Sequence, residues 1–254
     1  MIICDIVTIS KNAENIIART MTSVSNQDYS HINHIIIDGQ STDLTIDIIN
    51  NFPHRKNCYV YFQKGSGIAA AFNEGLKYVT DNLIIFLNAG DTLANSQVIT
   101  KVVESYQNKK WLWAFGETIS FSRKGFLKRH IKQYSQWNQE LFLYSNPICH
   151  QSTIFTKEIL EKVGLYNEQL FLGMDYDFNI RASLIETPYL LKFPVSCYDT
   201  TGVSSLKVFQ NYKAHRNIRK KYFIYNTQRN LQLDTIGYIK AIQRFCMIPL
   251  KLYL

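Results

Sequence analysis

Short apolar runs alternate with segments of helical periodicity through the first third of this chain, and this alternation constrains its fold more than any other feature. The apolar runs cover residues 2–9, 34–37, 59–62 and 83–87. Because apolar residues occupy successive positions within each run, both faces of the corresponding strands must be buried, which is typical of a parallel sheet covered by helices. The sequence therefore predicts an α/β fold with a mostly parallel, Rossmann-like sheet and helices on both faces.

The segments between these runs are predicted to be helices. Side chains that commonly cap helix N-termini precede the first two of them. We predict that Asn12 caps the first helix and that Ser41 or Thr42 caps the second. One face of the third helix is marked by apolar residues at helical spacing: Ile68, Ala71, Phe72, Gly75, Leu76 and Val79.

The rest of the chain is less regular. Residues 111–115, 118–121 and 189–195 are predicted strands, and residues 159–163 and 175–184 are predicted helices. Composition changes near residue 205, where aromatic and basic side chains begin to alternate. We therefore predict a domain at 1–204, made of a regular half at 1–110 and a less regular half at 111–204, followed by a basic, aromatic-rich helical segment at 205–254.

The net charge of +8 is concentrated in this last segment. Residues 205–254 hold ten basic residues and a single acid, Asp234, so they carry +9, whereas the first 204 residues sum to −1. A basic patch suits nucleic acid, but no RNP-like or helix-turn-helix signature is present, so we predict no nucleic-acid partner. The asymmetry instead indicates a localised anionic partner.

The end of the basic segment has the pattern of an interfacial helix. Its apolar residues and its cations fall on a helical repeat: Ile239, Ile242, Phe245 and Cys246 against Lys240 and Arg244. This composition is typical of a helix that lies on an anionic membrane surface. The alternative is a helix that packs on the domain and leaves a solvated basic face.

Processing and redox signals are weak. Residues 1–10 contain Asp5 and lack a basic leader, so no signal peptide is predicted, and no run of about 18 uncharged apolar residues predicts a membrane-spanning helix. We predict a cytoplasmic protein, held peripherally at the inner face of the cell membrane. Reduced thiols are expected because the cysteines are scattered, odd in number and without metal-binding spacing: Cys4, Cys58, Cys149, Cys197 and Cys246.

Two aspartates, Asp38 and Asp91, directly follow predicted strands. In a parallel α/β sheet, ligands bind beyond the carboxyl ends of the strands, so both carboxylates are predicted to line one crevice. They belong to an ordered series of motifs: Ile-Val-Thr-Ile-Ser-Lys-Asn at 6–12, Asp-Gly-Gln-Ser-Thr-Asp at 38–43, Phe-Leu-Asn-Ala-Gly-Asp at 86–91, His-Gln-Ser at 150–152 and Met-Asp-Tyr-Asp at 174–177.

In this order and spacing the motifs resemble those of family 2 glycosyltransferases of the GT-A fold, of the type found in bacterial polysaccharide biosynthesis, over roughly residues 1–200. The resemblance implies that residues 1–110 bind a nucleotide-sugar donor, and that residues 111–204 bind the acceptor. It also implies an inverting transfer of a sugar, hexosyltransferase-like, from a UDP-sugar to a hydroxyl of a glycan or lipid-linked glycan.

For the donor, the resemblance implies that Asp38 accepts a hydrogen bond from the ring N–H of the base, with Thr8 nearby. The alternative is that Asp38 only starts a turn or caps the next helix. Asn73 and Asn88 are also implied in donor binding. Asp91 is implied as the ligand of a divalent cation, Mg²⁺ or Mn²⁺, which stabilises the leaving diphosphate as a Lewis acid.

For the acceptor, the resemblance implies that Asp175 is the general base and that Asp177 supports it. These residues are two apart on a predicted helix and point about 200° apart, so they cannot share one role. Arg181 lies at i+4 from Asp177 and is placed to pair with it. His150 and Gln151 are implied to line the site, as acceptor-positioning, phosphate-contacting or metal-contacting residues.

One segment departs from the family pattern. Residues 64–75 contain Gly65 followed by three alanines, where relatives often carry an aspartate and polar side chains. This departure keeps two alternatives open. One is a non-catalytic nucleotide-sugar-binding protein, and the other is a nucleotidyltransferase that makes a sugar nucleotide.

Overall fold

The strands predicted in the first half form the parallel part of a nine-stranded sheet. The computed structural model describes residues 1–53, 57–80, 82–121, 128–132, 134–200 and 207–247. Strands β1 to β4 pair in parallel in the order β3-β2-β1-β4, and the middle residues of β1, β2 and β4 are buried. The expected burial of both faces is wrong for β3, whose residues are half-buried or exposed because it lies at the edge of the sheet. Their bounds are Cys4–Ser10 for β1, Ile32–Asp38 for β2, Cys58–Phe62 for β3 and Leu83–Phe86 for β4.

Three helices cover this part of the sheet, as predicted. They are α1 (Ile17–Ser25), α2 (Thr45–Asn50) and α3 (Ile68–Gly75). The helix α3 packs so closely on β1 that a Cβ atom at Gly75 would lie 2.5 Å from the Cγ1 atom of Val7. The periodic apolar stripe therefore predicted both the helix and the face that it buries.

The predicted N-caps are wrong. No side chain caps α1 or α2, and α1 begins five residues after Asn12. Asn12 instead has a left-handed backbone, with φ at 48°, and its side-chain oxygen accepts a hydrogen bond of 2.9 Å from the backbone N–H of Thr42. Ser41 binds Asp38. Polar residues at these two strand ends thus tie the loops to each other, where we expected them to start helices.

The second half adds the remaining elements. They are β5 (Thr92–Leu93), α4 (Val98–Lys109), β6 (Trp113–Phe121), β7 (Lys128–Ile131), β8 (Thr153–Thr156), α5 (Lys157–Val163), α6 (Met174–Ile185) and β9 (Tyr189–Asp199). The two strands predicted at 111–115 and 118–121 are one strand with an irregularity between Phe115 and Thr118. At this point Gly116 lies against Val195, and a Cβ atom there would come within 2.4 Å of the valine side chain.

The direction of the strands decides which residues share an edge of the sheet. The strand β8 is antiparallel to both β4 and β6, and β9 is parallel to β6. The carboxyl ends of β4, β6 and β9 therefore lie at the same edge as the amino end of β8. Asp91, the 150–152 turn before β8 and Asp199 at the end of β9 all meet at that edge. The sheet is parallel in the first half and mixed in the second.

Two helices follow the sheet, α7 (Val208–Tyr222) and α8 (Thr227–Cys246), and they pack against each other. Asp234 on α8 accepts hydrogen bonds from Arg216, Arg219 and Lys220 on α7. The hairpin is also joined to the domain, because the imidazole of His215 stacks on Tyr176 of α6 at 4.4 Å between ring centroids. Part of the basic segment, residues 205–206 and 248–254, lies outside the described residues. No helix within the described part of the chain is both long enough and apolar enough to cross a membrane.

Candidate active site

The turn after β4 carries Asp91 and is fixed by helix α1. Gly90 has a φ of 95°, and a Cβ atom there would come within 3.0 Å of the Arg19 guanidinium, so glycine suits this position on both counts. The Thr20 hydroxyl donates to the backbone oxygen of Asp91 (2.7 Å) and accepts from the N–H of Gly90 (2.8 Å). Arg19 donates to the Gly90 oxygen. The position of Asp91 is therefore set by α1 as well as by its own strand.

The Asp91 carboxylate is held by two donors and is only 6% exposed. One oxygen accepts from the Gln151 side-chain amide (2.8 Å) and the other from the backbone N–H of Asp199 (3.1 Å). Burial raises the pKa of Asp91 to about 7, and these two hydrogen bonds oppose that shift. The Asp199 carboxylate lies alongside and pairs with Arg19 at 3.3 Å. A bound cation would favour the ionised form of Asp91, which burial disfavours.

Asn88 gives a test of whether this turn fits a divalent cation. Its side-chain oxygen is buried and has no hydrogen-bond partner among the described residues. It belongs to the same four-residue turn as Asp91, so the turn offers an amide oxygen and a carboxylate, both hard ligands of the kind that Mg²⁺ and Mn²⁺ prefer. The described residues contain no cluster of three or more His, Cys, Asp or Glu side chains suited to a metal. The turn therefore fits a cation that also takes oxygens from a bound diphosphate.

Asp38 is fully buried at the end of β2 and organises the neighbouring loops. Its carboxylate accepts from the hydroxyl of Ser10 (2.9 Å), the hydroxyl of Ser41 (2.7 Å) and the backbone N–H of Ser41 (2.7 Å). A carboxylate can accept about four such bonds, so one position remains for a further donor. Thr8 is buried in β1, where its hydroxyl contacts the Nε2 atom of His34 at 2.9 Å. The base-binding role of Asp38 and Thr8 stays a prediction.

Asp175, the predicted base, lies in the first turn of α6, two residues after the N-cap Gly173, which has a φ of 75°. One carboxylate oxygen accepts a hydrogen bond of 2.9 Å from the Asn146 side-chain amide. Desolvation by the surrounding protein raises the pKa of Asp175, and backbone N–H groups, Asn146 and the charge of Arg244 oppose the rise. A carboxylate with a raised pKa is a stronger base once ionised.

Asp177 points to another side of α6, as the helical spacing predicted. It is 2% exposed and pairs with the Nε atom of Arg181 at 2.9 Å, while its second oxygen accepts from the Tyr222 hydroxyl at 2.8 Å. Arg181 also donates to the backbone oxygens of Val163 and Leu165. Asp177 therefore joins α6 to α7 and to the end of α5.

His150 is buried inside the aromatic core. Its Nε2 atom contacts the Tyr166 hydroxyl at 2.9 Å, and its ring lies 4.9 Å from Phe72 and 5.3 Å from Phe86 between centroids. Burial lowers the pKa of His150 to about 3, so the imidazole is neutral. Its side chain packs among these rings, and the site-lining role that we expected for His150 stays a prediction.

Asn73, expected at the donor, joins α3 to the loop before α6. Its amide donates to the Tyr166 backbone oxygen (3.0 Å) and to the Glu168 carboxylate (2.7 Å), and it accepts from the Tyr166 N–H (2.8 Å). A contact between the Asn73 side-chain amide and the nucleotide-sugar donor would have to replace one of these hydrogen bonds. The structure therefore gives Asn73 a bridging role between the two halves.

One short segment links the two candidate carboxylates. Asn146 contacts Asp175 and Gln151 contacts Asp91, and the two amides are five residues apart in the chain. Five residues span at most about 18 Å, so this segment limits how far apart the two carboxylates can lie. A nucleoside diphosphate held at one end and a hydroxyl acceptor at the other would meet along this segment.

Several polar residues of this site were not expected from the sequence. Asp38 was located because ligands bind beyond the carboxyl ends of strands. The same rule would have located Asp199 if the strand predicted at residues 189–195 had been extended to residue 199, where β9 ends. Asn146 precedes a proline, which marked only a loop. Arg19 lies on the helix that packs under the turn, and no local pattern distinguishes it from a solvated helical arginine.

Comparison with known proteins identifies the family. A family model described as Glycosyl transferase family 2 matches residues 5–164, which is more than half of the chain. An uncharacterized glycosyltransferase of Mycobacterium tuberculosis is 26% identical over 230 residues, covering 85% of this chain and 84% of that protein. A Methanococcus voltae glycosyltransferase, named for a dolichyl N-acetyl-glucosaminyl phosphate acceptor, is 27% identical over 243 residues, covering 84% of this chain and 73% of that protein.

Solved structures agree on the fold. Residues 1–349 of S. aureus TarS in complex with UDP superpose with a TM-score of 0.70 at 14% identity, over 95% of this chain and 72% of that one. A Pyrobaculum calidifontis mannosyltransferase in complex with GDP-Man and Mn²⁺ gives a TM-score of 0.64 at 14% identity, over 95% and 71%. The predicted α/β fold of the GT-A type, with a helical C-terminal segment, is confirmed.

Proposed function

Since the chain belongs to glycosyl transferase family 2 and is a glycosyltransferase, we propose that it moves a sugar from a UDP-sugar to a hydroxyl of a lipid-linked glycan, with inversion at the anomeric carbon. The observation that carries this proposal is the 146–151 segment, which holds a carboxylate suited to a cation at one end and a second carboxylate suited to a base at the other. In this proposal residues 1–110 bind the donor and residues 111–204 bind the acceptor.

On the donor side, Asp91 and Asn88 would hold Mg²⁺ or Mn²⁺ together with the diphosphate. The cation, when bound, stabilises the negative charge on the leaving diphosphate as a Lewis acid. Gln151 and the backbone of Asp199 orient the carboxylate, and Arg19 and Thr20 fix the turn that carries it. The complex of a structural neighbour with Mn²⁺ and a nucleotide sugar supports this assignment.

On the acceptor side, Asp175 would take the proton of the attacking hydroxyl. The oxygen of that hydroxyl forms a bond to the anomeric carbon, while the bond from that carbon to the diphosphate oxygen breaks and its electron pair leaves with UDP. Attack from the face opposite the leaving group inverts the configuration. Asn146 donates to one oxygen of Asp175, and a carboxylate has further lone pairs that can take the proton.

A donor panel with product analysis tests the reaction class. Incubation with UDP-sugars and Mn²⁺ should release UDP, detected by mass spectrometry. Release of pyrophosphate from a sugar phosphate and UTP would instead support a nucleotidyltransferase, and no release with any donor would support a binding protein. NMR of the transferred product reads the anomeric configuration, and retention would contradict the role of Asp175.

We also propose that the hairpin of α7 and α8 contacts an anionic membrane. The features that favour this contact differ from the net charge on which the sequence-based prediction relied. Asp234 pairs with three of the ten basic residues of the segment, so the free positive charge is smaller than the count implied. The outward face of α8 is apolar instead. The exposed apolar residues of α8 include Leu231, Tyr238, Ile239, Ile242 and Phe245, each between 42% and 67% exposed.

Helix α7 extends this apolar face and adds cations beside it. Phe209 contacts Phe245 at 5.4 Å between ring centroids, and the exposed Lys207 and Lys213 precede and follow it. Apolar side chains flanked by lysines complement an anionic bilayer. We therefore assign this surface to the membrane that would carry the acceptor.

Vesicle flotation tests the membrane contact. The protein should float with phosphatidylglycerol vesicles, and the pair of changes Ile242→Asp and Phe245→Asp should abolish flotation while leaving UDP release unchanged. Lys101→Gln, an exposed change on α4, is the control. A protein that ignores such vesicles at low salt would show that the hairpin has only a packing role.

A further inference from the structure

Helix α6 carries a second polar residue close to the proposed base. Asn179 lies four residues after Asp175, one turn further along the helix, and its side chain is fully buried. The Asn179 amide donates to the side-chain oxygen of Asn146 at 3.5 Å, and the Asn146 amide donates to Asp175 at 2.9 Å. The three side chains therefore form a chain of hydrogen bonds that ends at the Asp175 carboxylate.

This chain decides which end of the Asn146 amide faces Asp175. The Asn146 oxygen accepts a second hydrogen bond, of 3.3 Å, from the backbone N–H of Ile148. Both of its partners are donors, so they hold the oxygen on their side and leave the NH₂ group of Asn146 facing Asp175. In the opposite orientation the Asn146 oxygen would face the carboxyl group and would favour its protonated form.

The buried Asn179 side chain lacks one of its hydrogen bonds. Its oxygen is buried and has no hydrogen-bond partner among the described residues. Turning this amide over would bring its oxygen against the oxygen of Asn146, so the bond to Asn146 itself leaves the oxygen unpaired. A buried polar atom without a partner lowers the free energy of unfolding, and an apolar side chain would avoid that cost. What an apolar side chain could not supply is the donor to Asn146.

We propose that Asn179 is a positioning residue for the base and that it acts through Asn146. It holds the Asn146 amide with the NH₂ group toward Asp175, and a donor at this place stabilises the ionised carboxylate. The ionised form is the one that can accept the proton of an attacking hydroxyl. The consequence for catalysis rests on the proposed function, whereas the effect on the Asp175 carboxyl group does not.

Two other ionisable groups, on other elements, interact electrostatically with Asp175. The charge of Arg244 on α8 opposes the rise that burial causes in the pKa of Asp175. The charge of Asp175 in turn contributes to the raised pKa of Tyr166, which lies between α5 and α6. A change at Asn179 alters neither group, so an accompanying shift in the pKa of Asp175 reports on the hydrogen-bond chain.

A double-mutant cycle on the full chain tests this assignment. The pKa of Asp175 is read by NMR of protein labelled with ¹³C at its aspartate carboxyl groups, with the Asp175 signal identified by its absence in Asp175→Asn. This measurement needs neither a donor nor an acceptor. Asn179→Ala should raise the pKa of Asp175 by about 0.5, because only the Ile148 N–H then orients the Asn146 amide. In the Asn146→Ala background the same change should leave this pKa unaltered, and kcat should respond to it only when Asn146 is present.

The matched control is Asn211→Ala, which truncates a buried asparagine on α7 and should leave the pKa of Asp175 unchanged in both backgrounds. Urea unfolding checks that each variant folds. If Asn179→Ala does not fold, Asn179→Ser, whose hydroxyl is too short to reach Asn146, replaces it in the cycle.

The same pKa of Asp175 in the wild type and in the Asn179 variant would overturn the proposal. An equal shift with and without Asn146 would overturn it too, because Asn179 would then act on the fold and not through Asn146. A pKa that follows the expected cycle, in a chain that releases UDP from no donor, would support the positioning role and contradict only the proposed function.

Discussion

The two halves of the domain build their parts of the site by different means. In residues 1–110, the proposed donor half, Asp38 and Asp91 follow parallel strands. Asp38 accepts hydrogen bonds from Ser10 and Ser41 of the same half. The backbone of Asp91 is held by Thr20, and its carboxylate accepts from Gln151 in the other half. In the acceptor half, Asp175 begins a helix and is held by the side chain of Asn146, from a loop. In the proposed function, the donor side is thus fixed by contacts from several elements, whereas the one side-chain contact to the Asp175 carboxylate in the acceptor side comes from Asn146.

The largest effect is expected at Asp91, on the proposed donor side. Asp91→Asn keeps the shape and the hydrogen bond to the Asp199 N–H but removes the charge that a cation requires, so it should lower activity by roughly 10³-fold or more. Mn²⁺-dependent binding of UDP, followed by calorimetry, should be lost with it. Asp47→Asn, the same change on the exposed face of α2, is the control. Full activity of the wild type in excess chelator would contradict the role of Asp91.

The next effect separates the two acidic residues of the acceptor half. Asp175→Asn should cut kcat by roughly 10²–10⁴-fold while sparing UDP binding, because it removes the basic lone pair but preserves size. Asp177→Asn should leave kcat within about threefold and lower the free energy of unfolding by about 3 kcal/mol, since it breaks a buried ion pair. Reversal of these two phenotypes would exchange the assignments.

The contrast between the halves also explains how far the sequence could be interpreted. Regular alternation predicts the direction and the shared edge of the first four strands, so the sequence alone is enough to locate Asp38 and Asp91 at that edge. Asp199 and Gln151 meet Asp91 only because β8 runs antiparallel between two parallel strands, and no local pattern encodes that pairing.

The cap positions and the basic segment were misinterpreted for a different reason. Asn12 and Ser41 are ordinary helix-capping residues, but partners 30 and 3 residues away compete for their side chains, and these partners win. The basic residues near the C-terminus were counted as free charge, although one acid, Asp234, engages three of them. Helix-capping propensity and net charge take no account of such competing partners.

Acid should weaken both halves through buried neutral histidines. Burial lowers the pKa of His34 to about 4 and that of His150 to about 3, from 6.5 in the unfolded chain. Because the unfolded state then binds more protons, stability is fully present above pH 6.5 and falls as the pH drops toward 4. Each histidine should cost about 2 kcal/mol at pH 5 relative to pH 7.5.

Urea unfolding at several pH values measures this loss. His34→Gln should reduce the pH dependence between 6.5 and 5 by about one proton, whereas His31→Gln, on the loop before β2, should leave it unchanged. If the wild type and His34→Gln depend on pH in the same way across this range, the folded protein accommodates a protonated His34, contrary to its burial.

The smallest effect is expected at Asn146, whose side chain contacts Asp175 on the proposed acceptor side. Asn146→Ala removes the amide that donates to Asp175 but leaves the carboxylate in place, so kcat should fall by about tenfold.

The pH dependence of kcat distinguishes a loss of Asp175 orientation from a loss of folded protein. The pKa read from the acid limb of the kcat profile should rise, because the hydrogen bond that opposes desolvation of Asp175 is gone. Asn146→Asp would add a like charge and should raise it further, whereas Asn95→Ala, a polar loop residue of the donor half, should not move it. If Asn146→Ala leaves both kcat and this pKa unchanged, Asp175 is held by the backbone of α6 alone, and the acceptor side is as rigid as the donor side.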